Sequence, residues 1–297
     1  MTNPNLNDAT MPFLDALALP GDPALAAVAA LLGLLVGSFL NVVIHRLPLM
    51  MLRETANFVA QERGEALPHS ARYNLWLPAS VCPHCARPLA LRHKVPVLSW
   101  LLLRGRCGFC QGSISARYPL VELLTALLFA LLGWRFGLGT HALALMTCAA
   151  FLIALAVIDA ETMLLPDDLT LPLLWLGLLV NLAHGGVPLQ DAVLGAMAGY
   201  GALWLVFWIF KLATGKEGLG YGDFKLMAAL GAWLGWQALP LVLLLASALG
   251  AVLGAALMGL GRHQRGQAIP FGPCLAAAGM LTLLMGHHWL TRLLYDF

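Results

Sequence analysis

The chain has 297 residues, of which 60% are hydrophobic and only 11% charged. Such a composition excludes an ordinary soluble globule. A net charge of +2, with no basic patch interleaved with aromatics, also excludes nucleic acid as the expected partner.

The first 24 residues carry Asp8, Asp15 and Asp22 but no Lys or Arg. They lack the basic start of a cleavable signal peptide, so the apolar run at 25–45 is expected to remain as an anchor. Further runs at 119–136, 140–158, 169–184, 190–212, 224–238, 239–261 and 270–290 approach the roughly 20 residues a membrane span requires. The expected fold is therefore an all-α integral membrane protein of about eight transmembrane helices. The last division but one, at Pro240, rests on that proline alone. Ten of the seventeen Lys and Arg residues fall in 46–119, which places that loop in the cytoplasm and both termini outside. This yields four parts: an outward segment 1–24, a first helix 25–45, a cytoplasmic loop domain 46–118 and a polytopic catalytic part 119–297. The basic loop is suited to anionic membrane lipid; 47–63 is a weakly amphipathic piece that could lie on the membrane surface, although its apolar positions are not cleanly periodic.

Within the loop, Cys82 and Cys85 form one CxxC and Cys107 and Cys110 a second. Two such knuckles can close a tetrahedral four-thiolate site, and structural zinc is the favoured reading. Another metal, such as an iron–sulfur cluster, disulfides and a redox pair are the alternatives; a cytoplasmic location argues against disulfides. A closed site has no open coordination position, so this metal would hold the loop together. His84 is a further candidate ligand, while Cys148 and Cys274 read as core residues.

The membrane part carries acids where acids are costly. Asp223, in GLGYGDFKLMAALGAWLG at 218–235, opens an apolar helix and taken alone reads as a helix cap. Asp159 closes another, at the unfavourable end of the helix dipole. In the eight-span topology both reach the same cytoplasmic depth. Two carboxylates sharing a site hold one proton between them, as an aspartic protease requires. Gly220 and Gly222 would let the backbone approach an extended peptide, or simply form a turn. At least one of Asp167 and Asp168 reads as the N-cap of the following helix. For Glu122 two readings stay open, a dipole-stabilised position or one facing the bundle interior.

The ordered motifs GSFLNVVIHRLP at 37–48, the two knuckles, SARYPLVE at 115–122, IDAETMLLPD at 158–167, GLGYGDFKLMAALGAWLGW at 218–236 and IPFGPCLA at 269–276 resemble the type IV prepilin leader peptidases of type IV pilus and type II secretion systems. The resemblance implies a bacterial inner-membrane aspartic endopeptidase that removes the basic leader of prepilins and pseudopilins at the cytoplasmic face. With a cysteine loop it also implies methylation of the new N-terminal amine by S-adenosylmethionine. The family's catalytic pair falls on Asp159 and Asp223. Glu161 stands where many relatives have Asp, and Cys274 where an aromatic is common. No glycine-rich turn marks a methyl-donor site, which stays unassigned.

Glu161 and Glu217, beside Asp159, Asp167 and Asp168, are expected to form an acidic mouth for the basic leader. Helix polarity further suggests Asp223 as the ionised partner and Asp159 as the proton holder. A zinc-stabilised scaffold with capping acids, or a proton-coupled transporter, are the competing functions.

Overall fold

The computed structural model describes residues 20–79, 81–82, 84–88, 95–216, 218–260 and 269–285. They form two compact units, Met1–Ala150 and Phe151–Phe297.

In the first unit, α1 (Pro23–Glu62) starts where Asp22 accepts the Ala24 N–H at 2.8 Å and Pro23 occupies the first turn. The helix does not stop at residue 45 as expected. It continues through Pro48 for 40 residues, a length of about 60 Å at 1.5 Å per residue. That is twice the thickness of a hydrocarbon core, so 47–62 continues one helix rather than forming a separate surface piece. Pro48 removes a single backbone donor, and the flanking turns carry the helix past it.

A short helix, α2 (Leu98–Leu102), lies in the loop, and α3 (Arg117–Phe136) returns along α1. Small residues four apart on α1 allow close approach. A Cβ on Gly33 would lie 2.6 Å from Ala126 Cα, and one on Gly37 would lie 2.8 Å from Glu122 Cα. Opposite Ala29, α3 supplies Gly133, whose added Cβ would stand 2.7 Å from the alanine methyl. Rising positions on α1 meet falling positions on α3, so the two are antiparallel neighbours joined by backbone-close packing rather than large side chains. Thus α3, expected to begin the catalytic part, packs within the first unit.

α4 (Thr140–Thr162) leads into the second unit, which continues with α5 (Asp167–His184), α6 (Leu189–Thr214), α7 (Tyr221–Leu234), a 3₁₀ turn at Trp236–Ala238, α8 (Leu239–Gly259) and α9 (Gly272–Met285). Left-handed glycines, Gly185 and Gly215, close α5 and α6. α7 is the centre of this unit: apart from Lys225, every residue from Asp223 to Leu234 is buried. α6 meets it through glycine, with a Cβ on Gly199 falling 2.6 Å from Met227 O and Gly195 backed onto Gly231. α5 is pinned to the far end of α7 by Asn181 Nδ2, which donates to Ala232 O at 2.8 Å, and by Trp233 Nε1, which donates to Leu173 O at 2.9 Å.

Each expected span coincides with a helix, and the all-α expectation holds. Among the described residues, five helical stretches are long and apolar enough to cross a membrane by length and composition. α7 has only 14 residues, about 21 Å, and α9 is described over Gly272–Met285. The division expected at Pro240 is made by Gly235 at φ 80 and the 3₁₀ turn, with the proline in the first turn of α8.

Candidate functional site

Asp223 stands in the first turn of α7 and is only 6% exposed. Its Oδ2 accepts the Gly220 N–H at 3.1 Å, and its own N–H returns to Gly220 O at 3.1 Å. The carboxylate thus caps the helix start from its third position by accepting the Gly220 N–H, half of a capping box because glycine has no side chain to answer it. A cap alone would leave the second oxygen to water, yet Oδ1 is buried and has no partner among the described residues.

Asp159 is 5% exposed near the end of α4. Its backbone carbonyl accepts the Met163 N–H at 2.9 Å, while its carboxylate leaves its own helix and accepts the Gly272 N–H at 2.9 Å. Gly272 is the first residue of α9. The cost of an acid near one helix C-terminus is thus offset at the N-terminus of another. The two carboxylates lie within electrostatic reach of one another. Both are now seen at helix N-termini, so helix polarity does not separate an ionised from a protonated partner, and that expectation loses its basis.

Gly272 belongs to the motif IPFGPCLA, whose pattern assigns it no role. Its role is steric: a Cβ there would sit 2.6 Å from Asp159 Oδ2. The Gly-Pro start of an apolar helix was the available signal. Gly222 packs on Leu165, its added Cβ falling 2.6 Å from the leucine Cβ, so it seats α7 against the segment between Asp159 and Asp167. That segment includes Met163 at φ 57, a left-handed conformation uncommon outside glycine. Glu161 and Asp168 are exposed. Asp167 is not a free acid of the mouth: Lys225 Nζ holds both its oxygens at 2.7 Å. Glu217 lies outside the described residues.

In the first unit, the sulfurs of Cys82, Cys85, Cys107 and Cys110 all lie within 4.8 Å of one another. The Cys82–Cys110 separation is 3.8 Å, nearly twice a disulfide bond of about 2.05 Å. It matches the edge, about 3.8 Å, of a tetrahedron of sulfurs around a metal at about 2.3 Å. Both knuckles use one turn. Ala86 N–H donates to Cys82 O and Cys82 N–H to Arg87 O, while Gln111 N–H donates to Cys107 O and Cys107 N–H to Gly112 O. Ala86 and Gln111 take matching left-handed conformations, φ 54 and 58. The Cys110 and Phe109 N–H groups hold the Cys107 thiol down to about 6, while, against the Gly112 N–H, burial and the neighbouring thiols push Cys110 up to about 11. His84 is engaged elsewhere, its Nε2 lying 3.1 Å from Ser113 O, and so links the knuckles.

Fold and site together define an all-α membrane protein with a buried aspartate pair in one unit and a convergent four-thiol centre in the other. The Bacterial Peptidase A24 N-terminal domain matches residues 31–136, and the Type IV leader peptidase family matches residues 146–255. A protein of Aeromonas salmonicida named prepilin leader peptidase/N-methyltransferase is 56% identical over 259 residues, covering 86% of this chain and 89% of the relative. Proteins of the same name from Pseudomonas aeruginosa and Burkholderia pseudomallei are 52% identical over 295 residues (97% and 99% covered) and 50% identical over 283 residues (94% and 91% covered). No solved structure matches. The chain belongs to the type IV leader peptidase family.

Proposed function

We infer that the protein cleaves type IV prepilins and methylates them, as the names of its relatives describe, and that Asp159 and Asp223 perform the cleavage. The observation that supports this pair is the burial of two neighbouring carboxylates, each tethered through Oδ2 to one backbone N–H. The tethers fix the orientation of both groups. With one proton shared between them, the ionised carboxylate takes a proton from the attacking water, and the protonated one donates a hydrogen bond to the scissile carbonyl. The unpartnered Asp223 Oδ1 is an acceptor available for that water.

The cleaved amine is the methyl acceptor, and S-adenosylmethionine supplies the methyl group. Cys82, Cys85, Cys107 and Cys110 would hold a structural zinc ion, their sulfur spacing fitting a closed tetrahedral site. The basic loop sets the orientation: a multi-pass protein of the bacterial inner membrane, with its active site toward the cytoplasm and lipid around its apolar helices. The substrates include pseudopilins of type II secretion as well as type IV prepilins, since both would present a basic leader.

The test is mass spectrometry of a prepilin incubated with purified protein and S-adenosylmethionine. Wild type should yield the shortened, methylated product, and Asp159→Asn or Asp223→Asn should each yield uncleaved prepilin. Cleavage at the normal rate by either variant refutes the assignment of that aspartate.

A further inference from the structure

The loop between α1 and α3 carries large apolar side chains on its outside. In α2, Leu98, Leu101 and Leu102 are all exposed, Leu102 by 74%. Spaced i, i+3 and i+4, they make up one helix face. The opposite side turns inward: Ser99, Trp100 and Leu103 line an internal cavity. Trp100 is fixed there by its Nε1, which donates to Ile114 O at 3.1 Å, and by Gly105, where a Cβ would stand 3.0 Å from the ring. A five-residue helix lying in water would not keep three leucines together on its outer face.

A second apolar projection lies at Trp76, 77% exposed, and Leu77, also exposed. Its backbone is firmly held. Arg46 on α1 donates to Asn74 O at 2.9 Å and to Pro78 O at 2.6 Å, and Asn74 Oδ1 accepts the Trp76 and Leu77 N–H groups at 2.9 and 2.7 Å.

The height of both projections along α1 decides what covers them. Trp76 lies beside Phe39, their ring centroids 6.0 Å apart. α2 is tied at its start by Val97, whose N–H donates to Glu122 Oε2 at 2.7 Å, and Glu122 Cα stands 2.8 Å from where a Cβ on Gly37 would be. Each is therefore fastened to the turn of α1 at 37–39, inside the apolar run 25–45 and about 10 Å along the helix from Arg46. Side chains projecting outward at that level meet acyl chains and headgroups rather than bulk water. Arg104 and Arg106, both exposed, follow α2 directly and supply the charge that anionic headgroups attract.

We propose that α2 and the Trp76–Leu77 turn seat the cysteine loop on the bilayer, with Leu98, Leu101, Leu102 and Trp76 at the acyl-chain boundary and Arg104 and Arg106 on the phosphates of anionic phospholipid. The loop is then a module lying against the leaflet rather than one projecting into solvent. The seat rests on the orientation proposed above only for the leaflet it names, the cytoplasmic one.

Photolabelling of the full chain in nanodiscs tests the seat. The discs are of phosphatidylcholine doped with a diazirine lipid, either phosphatidylglycerol or phosphatidylcholine, and adducts are mapped by mass spectrometry. Exposed Leu205 and Ile209 of α6 serve as the lipid-facing control. Adducts should appear at 76–77 and 98–102 as well as on α6, and phosphatidylglycerol should label 98–102 about threefold or more over phosphatidylcholine. Arg104→Gln with Arg106→Gln should bring that ratio to about one while α6 labels as before. Labelled α6 with 76–77 and 98–102 unlabelled would show that these residues face water or another protein, and overturns the seat. A headgroup preference that survives the double substitution overturns the assignment of the arginines. The leaflet is read separately, from protease cleavage of the loop in inverted inner-membrane vesicles but not in spheroplasts. Cleavage in spheroplasts alone, with the lipid adducts present, overturns the orientation and not the seat.

Discussion

Gly272 donates its backbone N–H to the Asp159 carboxylate at 2.9 Å across 113 residues of sequence. The contact explains how an acid survives near the end of α4, and it requires a residue without a side chain. Gly272→Ala would push a methyl to 2.6 Å from Oδ2, closer than van der Waals contact allows, so the carboxylate must rotate away from its tether. Cleavage should fall by about 10²-fold, an effect expected when a catalytic group is misplaced by about 1 Å. Single-turnover cleavage of a prepilin measures it. An alanine variant with normal kcat would show that the tether is dispensable.

Because both carboxylates sit at helix N-termini, neither is marked by its helix as the sole base. Asp159→Asn and Asp223→Asn should therefore impair cleavage to a similar degree, by about 10²–10⁴-fold, the usual contribution of a general acid or base. Quantitative mass spectrometry of long incubations measures the residual rates. Rates differing by more than about 100-fold would restore a fixed division of labour.

The pair of Lys225 with Asp167 neutralises one acid of the expected mouth. Both side chains are partly exposed, so the pair should contribute no more than about 1 kcal/mol to stability. Its effect on charge is the testable part. Glu161→Gln with Glu217→Gln should raise KM for a basic-leader prepilin, whereas Lys225→Ala, which leaves Asp167 uncompensated, should lower it. KM for the wild type should rise with salt. A KM indifferent to salt and to all three changes would exclude electrostatic capture of the leader.

Removal of metal from the thiol centre should loosen the loop, because metal binding to such sites is coupled to folding. Cys82→Ser or Cys107→Ser, each replacing a buried sulfur ligand, should release bound zinc and expose 46–118 to limited proteolysis. Elemental analysis and a protease time course check both effects. A wild type that purifies without metal and still resists proteolysis would show that the thiols hold no structural ion.

Sequence by itself determined the features that depend on neighbours along the chain. Apolar runs recorded the helices because lipid leaves the backbone few alternatives to internal hydrogen bonding. The CxxC spacing recorded the thiol centre because each knuckle is one local turn, and residues 218–223 recorded the Asp223 cap for the same reason. What the tertiary structure alone decided depends on residues brought together from distant positions. The end of α1 was misplaced because an apolar run records only the stretch that can lie in lipid, while the helix continues with more polar turns to Glu62. Helix polarity misjudged Asp159 because its compensating N–H belongs to α9, and Asp167 looked like free negative charge because Lys225 lies on another helix. Glu122 read equally well as a dipole-stabilised acid or an interior one. Its burial beside Asn41 follows from Gly33 and Gly37 letting α3 approach α1, a contact between surfaces that no local pattern in either helix specifies.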